Sequence, residues 1–322
     1  MTAPPRSLRL EAFAKVNRSL VVLGRRADGF HEIETLLETV DLSDEISIEE
    51  ADGLSLSCSD PSLPSGEENL VLRAARLLAG ESGTRSGARI HLCKRIPAGG
   101  GLGGGSSDAA STLLGLSALW HLGLTADALA PLAARIGSDV PFFLVGGRGR
   151  GSGRGERIEP LPDAPAETLL LLFPPFGMPT ADVYKALRAP GLTPPGRGAL
   201  SESPAPGILP DRNDLEPAAE SLRPELGALR RLLADAGARS ARMSGSGSTL
   251  FGVFGTPGEA SRAAAALAGL PPGTRWSVVT TVSRREFALR ALPAEMVPCD
   301  FARQMEGAEG PSSSPGREGW EL

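Results

Sequence analysis

The run Pro97-Ala-Gly-Gly-Gly-Leu-Gly-Gly-Gly-Ser-Ser-Asp-Ala-Ala110 places six glycines ahead of Ser106, Ser107 and Asp108, and an Ala/Leu-rich stretch follows. Backbone so free of side chains lets a bulky group approach its N–H groups, and Ser, Ser and Asp are residues that start helices. A glycine loop feeding a helix N-terminus binds anions, because unpaired N–H groups and the positive end of the helix dipole point at the ligand. The chemistry this pattern supports is a nucleotide polyphosphate held by backbone. No lysine follows the glycines, so the loop is not a P-loop. Gly99, Gly101 and Gly104 satisfy G-x-G-x-x-G, but Asp127, near the spacing a dinucleotide site requires, sits among Ala126, Ala128, Leu129 and Leu132, which read as helix. A flexible linker does not fit, because a strand enters the loop and an apolar helix leaves it. Alone, the loop says polyphosphate and no more.

Two further residues could carry chemistry. Asp139, in Gly137-Ser138-Asp139-Val140-Pro141, could accept the proton of a hydroxyl or hold that hydroxyl in line. Read in isolation it is better explained as a loop carboxylate capping the next turn. Lys15 lies among Ala12, Phe13, Ala14 and Val16, where a lysine is costly without an anionic partner; a solvated strand-edge lysine is the competing reading. His31, His91 and His121 have no metal-ligand spacing, and Cys58, Cys93 and Cys299 form no C-x-x-C pair. These spacings argue against a zinc site or disulfide scaffold, and a reducing cytoplasm fits. A net charge of −5 argues against broad nucleic-acid binding. The Arg148, Arg150, Arg154 and Arg157 series, with no interleaved aromatic residues, reads as decoration of a glycine-rich hairpin near the site.

The elements that must position these residues alternate irregularly, which suggests α+β rather than βαβ. Leu8 to Leu23, Asp44 to Glu50, Leu54 to Cys58 and Ala88 to Lys94 read as strands, as do Leu169 to Phe173, Thr249 to Phe254 and Val278 to Val282, while Glu34 to Val40 is a mixed apolar run. Helices are expected over Asn69 to Leu78, Ala109 to Leu119, Thr125 to Ile136 with Thr125 as cap, Leu215 to Ala236 and Gly258 to Ala268. Pro190 to Pro210 reads as a linker, and 293–322 as a disordered tail. Met1 to Leu10 carries no apolar signal segment, and Leu169 to Phe173 is too short to span a bilayer.

Lys94-Arg-Ile-Pro97 and the run Gly100-Gly-Leu-Gly-Gly-Gly-Ser-Ser-Asp-Ala-Ala110 resemble the ATP motif of the GHMP small-molecule kinases. Ala14-Lys15-Val16-Asn17 with Arg26-Ala-Asp-Gly-Phe-His31 resembles that family's N-terminal motif, and Arg242-Met-Ser-Gly-Ser-Gly-Ser248 its C-terminal glycine motif. The resemblance spans about Leu8 to Phe287 and implies a two-domain α+β fold, 1–160 and 161–292, with the active site in the cleft between domains. It implies ATP with Mg²⁺, the metal ligands unassigned. The nucleotide would be held by Pro97, Ala98, Gly99, Gly100, Gly101, Leu102, Gly103, Gly104, Gly105, Ser106 and Ser107, with Asn69 and Lys94 near the adenine. Capping alone would equally account for either serine. Lys15 and Asp139 become the catalytic pair. Asn17, Phe30, His31 and Tyr184 become the substrate site, Phe30 and Tyr184 stacking on a cytosine and His31 reading its edge. The expected reaction is phosphorylation of the 2-hydroxyl of a cytidyl-diphosphate-linked methylerythritol, in the non-mevalonate route to isoprenoid precursors. A relative acting on homoserine or mevalonate, and a non-catalytic nucleotide-binding regulator, are the alternatives. Phe30 stands where tyrosine is commoner, Ser246 where alanine is, and Arg18 where the family usually has an apolar residue.

Overall fold

The computed structural model describes residues 6–187, 211–267 and 269–298. The expected linker at Pro190 to Pro210 and the tail beyond 298 lie outside the described residues. The first sheet is built from β1 (Ser7–Arg25), β2 (His31–Ala51), β3 (Leu54–Cys58), β4 (Gly87–Cys93), β5 (Arg148–Gly153) and β6 (Arg157–Pro160). Its order is β3-β4-β2-β5-β6, with β1 paired antiparallel to β2. Helices α1 (Leu70–Ser82), α2 (Gly104–Leu119) and α3 (Ala126–Ile136) cover it. The second sheet holds β7 (Thr168–Phe173), β8 (Ser240–Met243), β9 (Leu250–Phe254) and β10 (Arg275–Thr280), ordered β10-β7-β9-β8. It is backed by α4 (Thr180–Ala186), α5 (Glu216–Leu222), α6 (Glu225–Asp235) and α7 (Pro257–Ala266).

The continuous apolar run of β7 follows from burial on both faces. Leu170 and Leu172 enter the second core, while Leu169, Leu171 and Phe173 meet Ala14, Val16, Val40 and Leu102 in a layer between the sheets. At about 1.5–3 kcal/mol per buried side chain, that layer binds the two halves and seats the glycine loop through Leu102. Helix α8 (Arg284–Ala291) returns to the first half, where Phe287 packs on Phe13 of β1 at 5.8 Å. A division at residue 160 therefore separates the sheets but not this helix.

Several elements differ from the pattern-based expectation. Strand β2 runs on through Asp41, bulging against β1 at Asp41 and Leu42, and the Asp41 carboxylate accepts from Thr280 N at 2.8 Å. The helix expected from Leu215 to Ala236 is two, α5 and α6, divided at Arg223-Pro224. Helix α2 begins at Gly104, five residues early, with left-handed Gly103 (φ 72°) as its N-cap. Ser106, Ser107 and Asp108 thus lie inside the helix and cap nothing. The described part of the expected tail, 293–298, forms a short turn of 3-10 helix at Ala294–Met296, with Met296 packed against the first core.

Candidate active site

Lys15 and Asn17 sit two residues apart on β1 and so point to the same face. Both are buried, Lys15 at 3% exposure. The Lys15 ammonium donates to Asn17 Oδ1 and to Gly101 O at 2.9 Å, and lies 3.3 Å from Asp139 Oδ2. Asn17 is fixed in turn: its Nδ2 donates to Thr35 Oγ1 at 2.8 Å and its backbone N–H to Ser244 Oγ at 3.2 Å. Asp139 precedes a turn of 3-10 helix at Val140–Leu144, yet its side chain makes no capping bond there. The capping explanation fails, and the carboxylate is left facing the lysine.

The glycine loop is clamped between the halves. Gly101 O accepts from Lys15 Nζ and from Ser244 Oγ at 2.9 Å, and Thr249 N donates to Gly100 O at 3.1 Å. From the other side Lys15 N donates to Leu102 O at 3.0 Å. Leu102 and Ser107 are buried, so Leu102 offers a ligand only its backbone and Ser106 is the more accessible of the two serine hydroxyls. Ala98, Gly99 and Gly105 are exposed; Pro97, Gly101, Gly103, Gly104 and Ser106 are half-buried and Gly100 is buried.

Asn69 and Lys94 are the expected nucleotide contacts whose side chains are engaged elsewhere. Asn69 caps α1, accepting from Val71 N at 3.0 Å and donating to Pro64 O at 2.8 Å. Lys94 Nζ is held by Asp44 and, at 2.8 Å, by Asp108.

A cavity of about 680 Å³ opens between the sheets, and Lys15, Asn17, Phe30, His31, Asp139, Tyr184 and Gly101 all line it. His31 and Tyr184 stack with centroids 4.8 Å apart. Phe30, half exposed in the β1–β2 turn, carries the Arg154 guanidinium over its ring at 4.7 Å. The expected slot between Phe30 and Tyr184 is thus partly filled, one face of each ring being covered by a neighbour. Burial, reinforced by the Arg25 charge, holds the His31 imidazole below its ordinary range. At neutral pH the ring is neutral, with one donor and one acceptor nitrogen. Burial and the nearby Asp139 charge raise the Tyr184 phenol, so it stays protonated.

The cavity residues that pattern reading did not assign to the site include Arg25, Arg154, Thr180 and Lys185. Arg154 sits at the tip of the β5–β6 hairpin, and the sequence signal for it was the arginine series itself. Thr180 Oγ1 pairs with Ser246 Oγ at 2.9 Å, which gives the serine at this position a partner that alanine would lack. Arg18 also gains an explanation. It lies 3.4 Å from Glu38 and 2.7 Å from Glu167, with its guanidinium above Phe251, tying β1 and β2 to the second half.

Residues 69–147 match the family described as GHMP kinases N terminal domain, and residues 197–271 that described as GHMP kinases C terminal. A 4-diphosphocytidyl-2-C-methyl-D-erythritol kinase of Pelotomaculum thermopropionicum is 44% identical over 75% of this chain and 87% of its own length. That of Moorella thermoacetica is 42% identical over 83% of this chain and 97% of its own. A crystal structure of 4-(cytidine 5'-diphospho)-2C-methyl-D-erythritol kinase superimposes with a TM-score of 0.69 at 41% identity, covering 85% of this chain and 99% of that one. A homoserine kinase from Cytophaga hutchinsonii shares the fold, with a TM-score of 0.66 at 21% identity. With both domains matched in order and this identity sustained over nearly the whole length of its relatives, the chain belongs to the GHMP kinase family, among its 4-diphosphocytidyl-2-C-methyl-D-erythritol kinases.

Proposed function

We propose that the protein transfers the γ-phosphoryl group of ATP to the 2-hydroxyl of 4-diphosphocytidyl-2-C-methyl-D-erythritol. The observation that carries this is the Lys15–Asp139 pair on the wall of a cavity with a backbone phosphate loop at one side and three aromatic rings at the other. Phosphoryl transfer asks a protein mainly to align two oxygens and offset charge. ATP lies along 97–107 with its phosphates against the loop amides and the start of α2. Among the described residues no cluster of His, Cys, Asp or Glu is built to hold a resident metal ion. Mg²⁺ would arrive with ATP and would offset the charge of the polyphosphate. Asp139 accepts the proton of the 2-hydroxyl or aligns it, and Lys15 stabilises the charge that develops beside it.

The base stacks on Phe30 in place of the Arg154 guanidinium, and that displaced cation, with Arg25 and Lys185, faces the substrate's diphosphate. Neutral His31 reads the base edge. Phe30→Ala and Tyr184→Ala are each expected to raise KM for the cytidyl substrate about tenfold, since stacking is worth about 1–3 kcal/mol per base, while KM for ATP stays within about twofold. Steady-state kinetics with each substrate varied checks this; an equal rise in both constants would show that the rings serve the fold instead.

The decisive assay is ADP formation by purified protein from Mg·ATP with the cytidyl substrate, against mevalonate and homoserine. Turnover confined to the cytidyl compound is expected. ATP binding without turnover would favour a regulator, and turnover of a control a different alcohol kinase. No helix among the described residues is long and apolar enough to cross a membrane, and the free thiols of Cys58 and Cys93 suit a cytoplasmic enzyme.

A further inference from the structure

Where β4 leaves the first sheet, the chain must turn into the glycine loop, and its next amides lose their strand partners. Asp44 of β2 takes them over. Its Oδ1 accepts from Arg95 N and, at 2.8 Å, from Ile96 N, while its Oδ2 receives the Lys94 ammonium. Lys94 in turn donates to Asp108 Oδ2 at 2.8 Å, and Asp108 lies in the second turn of α2. The cluster is sealed: Asp44 is 0% exposed and Asp108 2%. It also touches the loop's exit, because a Cβ on Gly104 would stand 3.3 Å from Lys94 Nζ. One carboxylate therefore grips the entry of the loop and, through one lysine, its exit.

We propose that Asp44 is a positioning residue for the nucleotide loop, fixing both ends of 95–104 so that the loop amides are preorganised for the phosphates. The inference rests on the placement of ATP given above. Preorganised donors cost no rearrangement when the ligand arrives, which is how such a residue raises affinity without touching the ligand. The charges support the arrangement. Two buried carboxylates share one ammonium, and burial holds the Asp108 carboxyl well above its usual range against the pull of Lys94, so the surplus negative charge is offset by a proton. Asp108 Oδ1 has no partner. Removing the charge of Asp44 lets Asp108 release that proton and pair with Lys94 as a carboxylate.

The test compares Asp44→Ala with Asp44→Asn in the full chain, by calorimetric binding of Mg·ATP and by KM for each substrate. Asp44→Ala is expected to weaken Mg·ATP about tenfold, the scale of losing hydrogen bonds to a charged group, with KM for the cytidyl substrate within about twofold. Asp44→Asn keeps an acceptor for the two amides and is expected to stay within about threefold of the parent. Unchanged ATP affinity in Asp44→Ala, equal weakening of both substrates, or an Asn variant as weak as the Ala variant each overturns the inference. If the Ala variant does not fold, the Asn variant decides by itself. Slow amide exchange at Arg95 and Ile96 with retained ATP affinity supports the role; fast exchange with unchanged affinity, or lost affinity, overturns it. Because ATP binding is read directly, a parent protein inactive on the cytidyl compound would sink the functional reading and leave this test intact.

Discussion

Asp139→Asn is expected to lower kcat by about 10³-fold while the Kd for Mg·ATP stays within about twofold, the range of a general base lost from a preformed site. Asparagine keeps the size of the side chain and an oxygen toward Lys15, but it cannot take a proton and carries no charge. Asp139 caps no helix, but its loss leaves buried Lys15 without its anion, so a fall in Tm of about 2–8 °C is expected beside the kinetic effect. Lys15→Met is expected to cost about 10²–10³-fold, the scale of removing one preorganised donor. Methionine fills the same buried space, and Gly101 O retains its bond from Ser244 Oγ, so the loop stays seated. The size of the Asp139 effect separates its two possible duties. A proton acceptor gives the full loss, whereas a purely aligning group gives a loss nearer 10². Near-normal kcat in either variant would end the catalytic assignment.

What could be read from the residues and what could not divides along sequence distance. Thr125 was legible because a cap and its helix are neighbours: its hydroxyl accepts from Ala128 N at 3.3 Å. The loop was legible as an anion site for the same reason. Its helix start was not, since Gly104 and Gly105 are poor helix formers and are recruited by close packing, Gly104 against Ile96. Lys15 and Asp139 are separated by 124 positions, and neither residue's neighbours announce the other; only the ordered family motifs joined them. Helix α4, which carries Tyr184 to the cavity, was missed because seven residues show too little periodicity. Asp44 had no signal at all. Among strand residues it looks like one more polar position in an alternating pattern, and its duty appears only when β4 and α2 close over it.

Gly101→Ala is expected to abolish detectable Mg·ATP binding and turnover together, because it strikes a residue at which the glycine loop, Lys15 and the second sheet's glycine motif meet. Gly101 has φ 77°, which costs an L-residue about 1–2 kcal/mol. The larger penalty is steric: an added Cβ would lie 2.2 Å from Ser244 O and 3.0 Å from Gly247 O. Both are backbone atoms, so no rotamer relieves the contact and the two loops must part. Parting them breaks the bond from Ser244 Oγ to Gly101 O and moves the acceptor of Lys15 Nζ, which carries the damage from the glycine loop to the Lys15–Asp139 pair. Gly99→Ala is the matched comparison. It is also left-handed, with φ 68°, but its Cβ would meet nothing nearer than Gly177 Cα at 3.9 Å. Strain alone remains there, so a fall in Tm of about 2–8 °C is expected, with ATP affinity reduced no more than about threefold. Calorimetry and thermal melts on the pair distinguish the two causes. If both alanines behave alike, left-handed strain is the whole effect and the clamp between the halves does not govern the loop; if only Gly101→Ala loses ATP, the loop binds phosphate because both sheets hold it in shape.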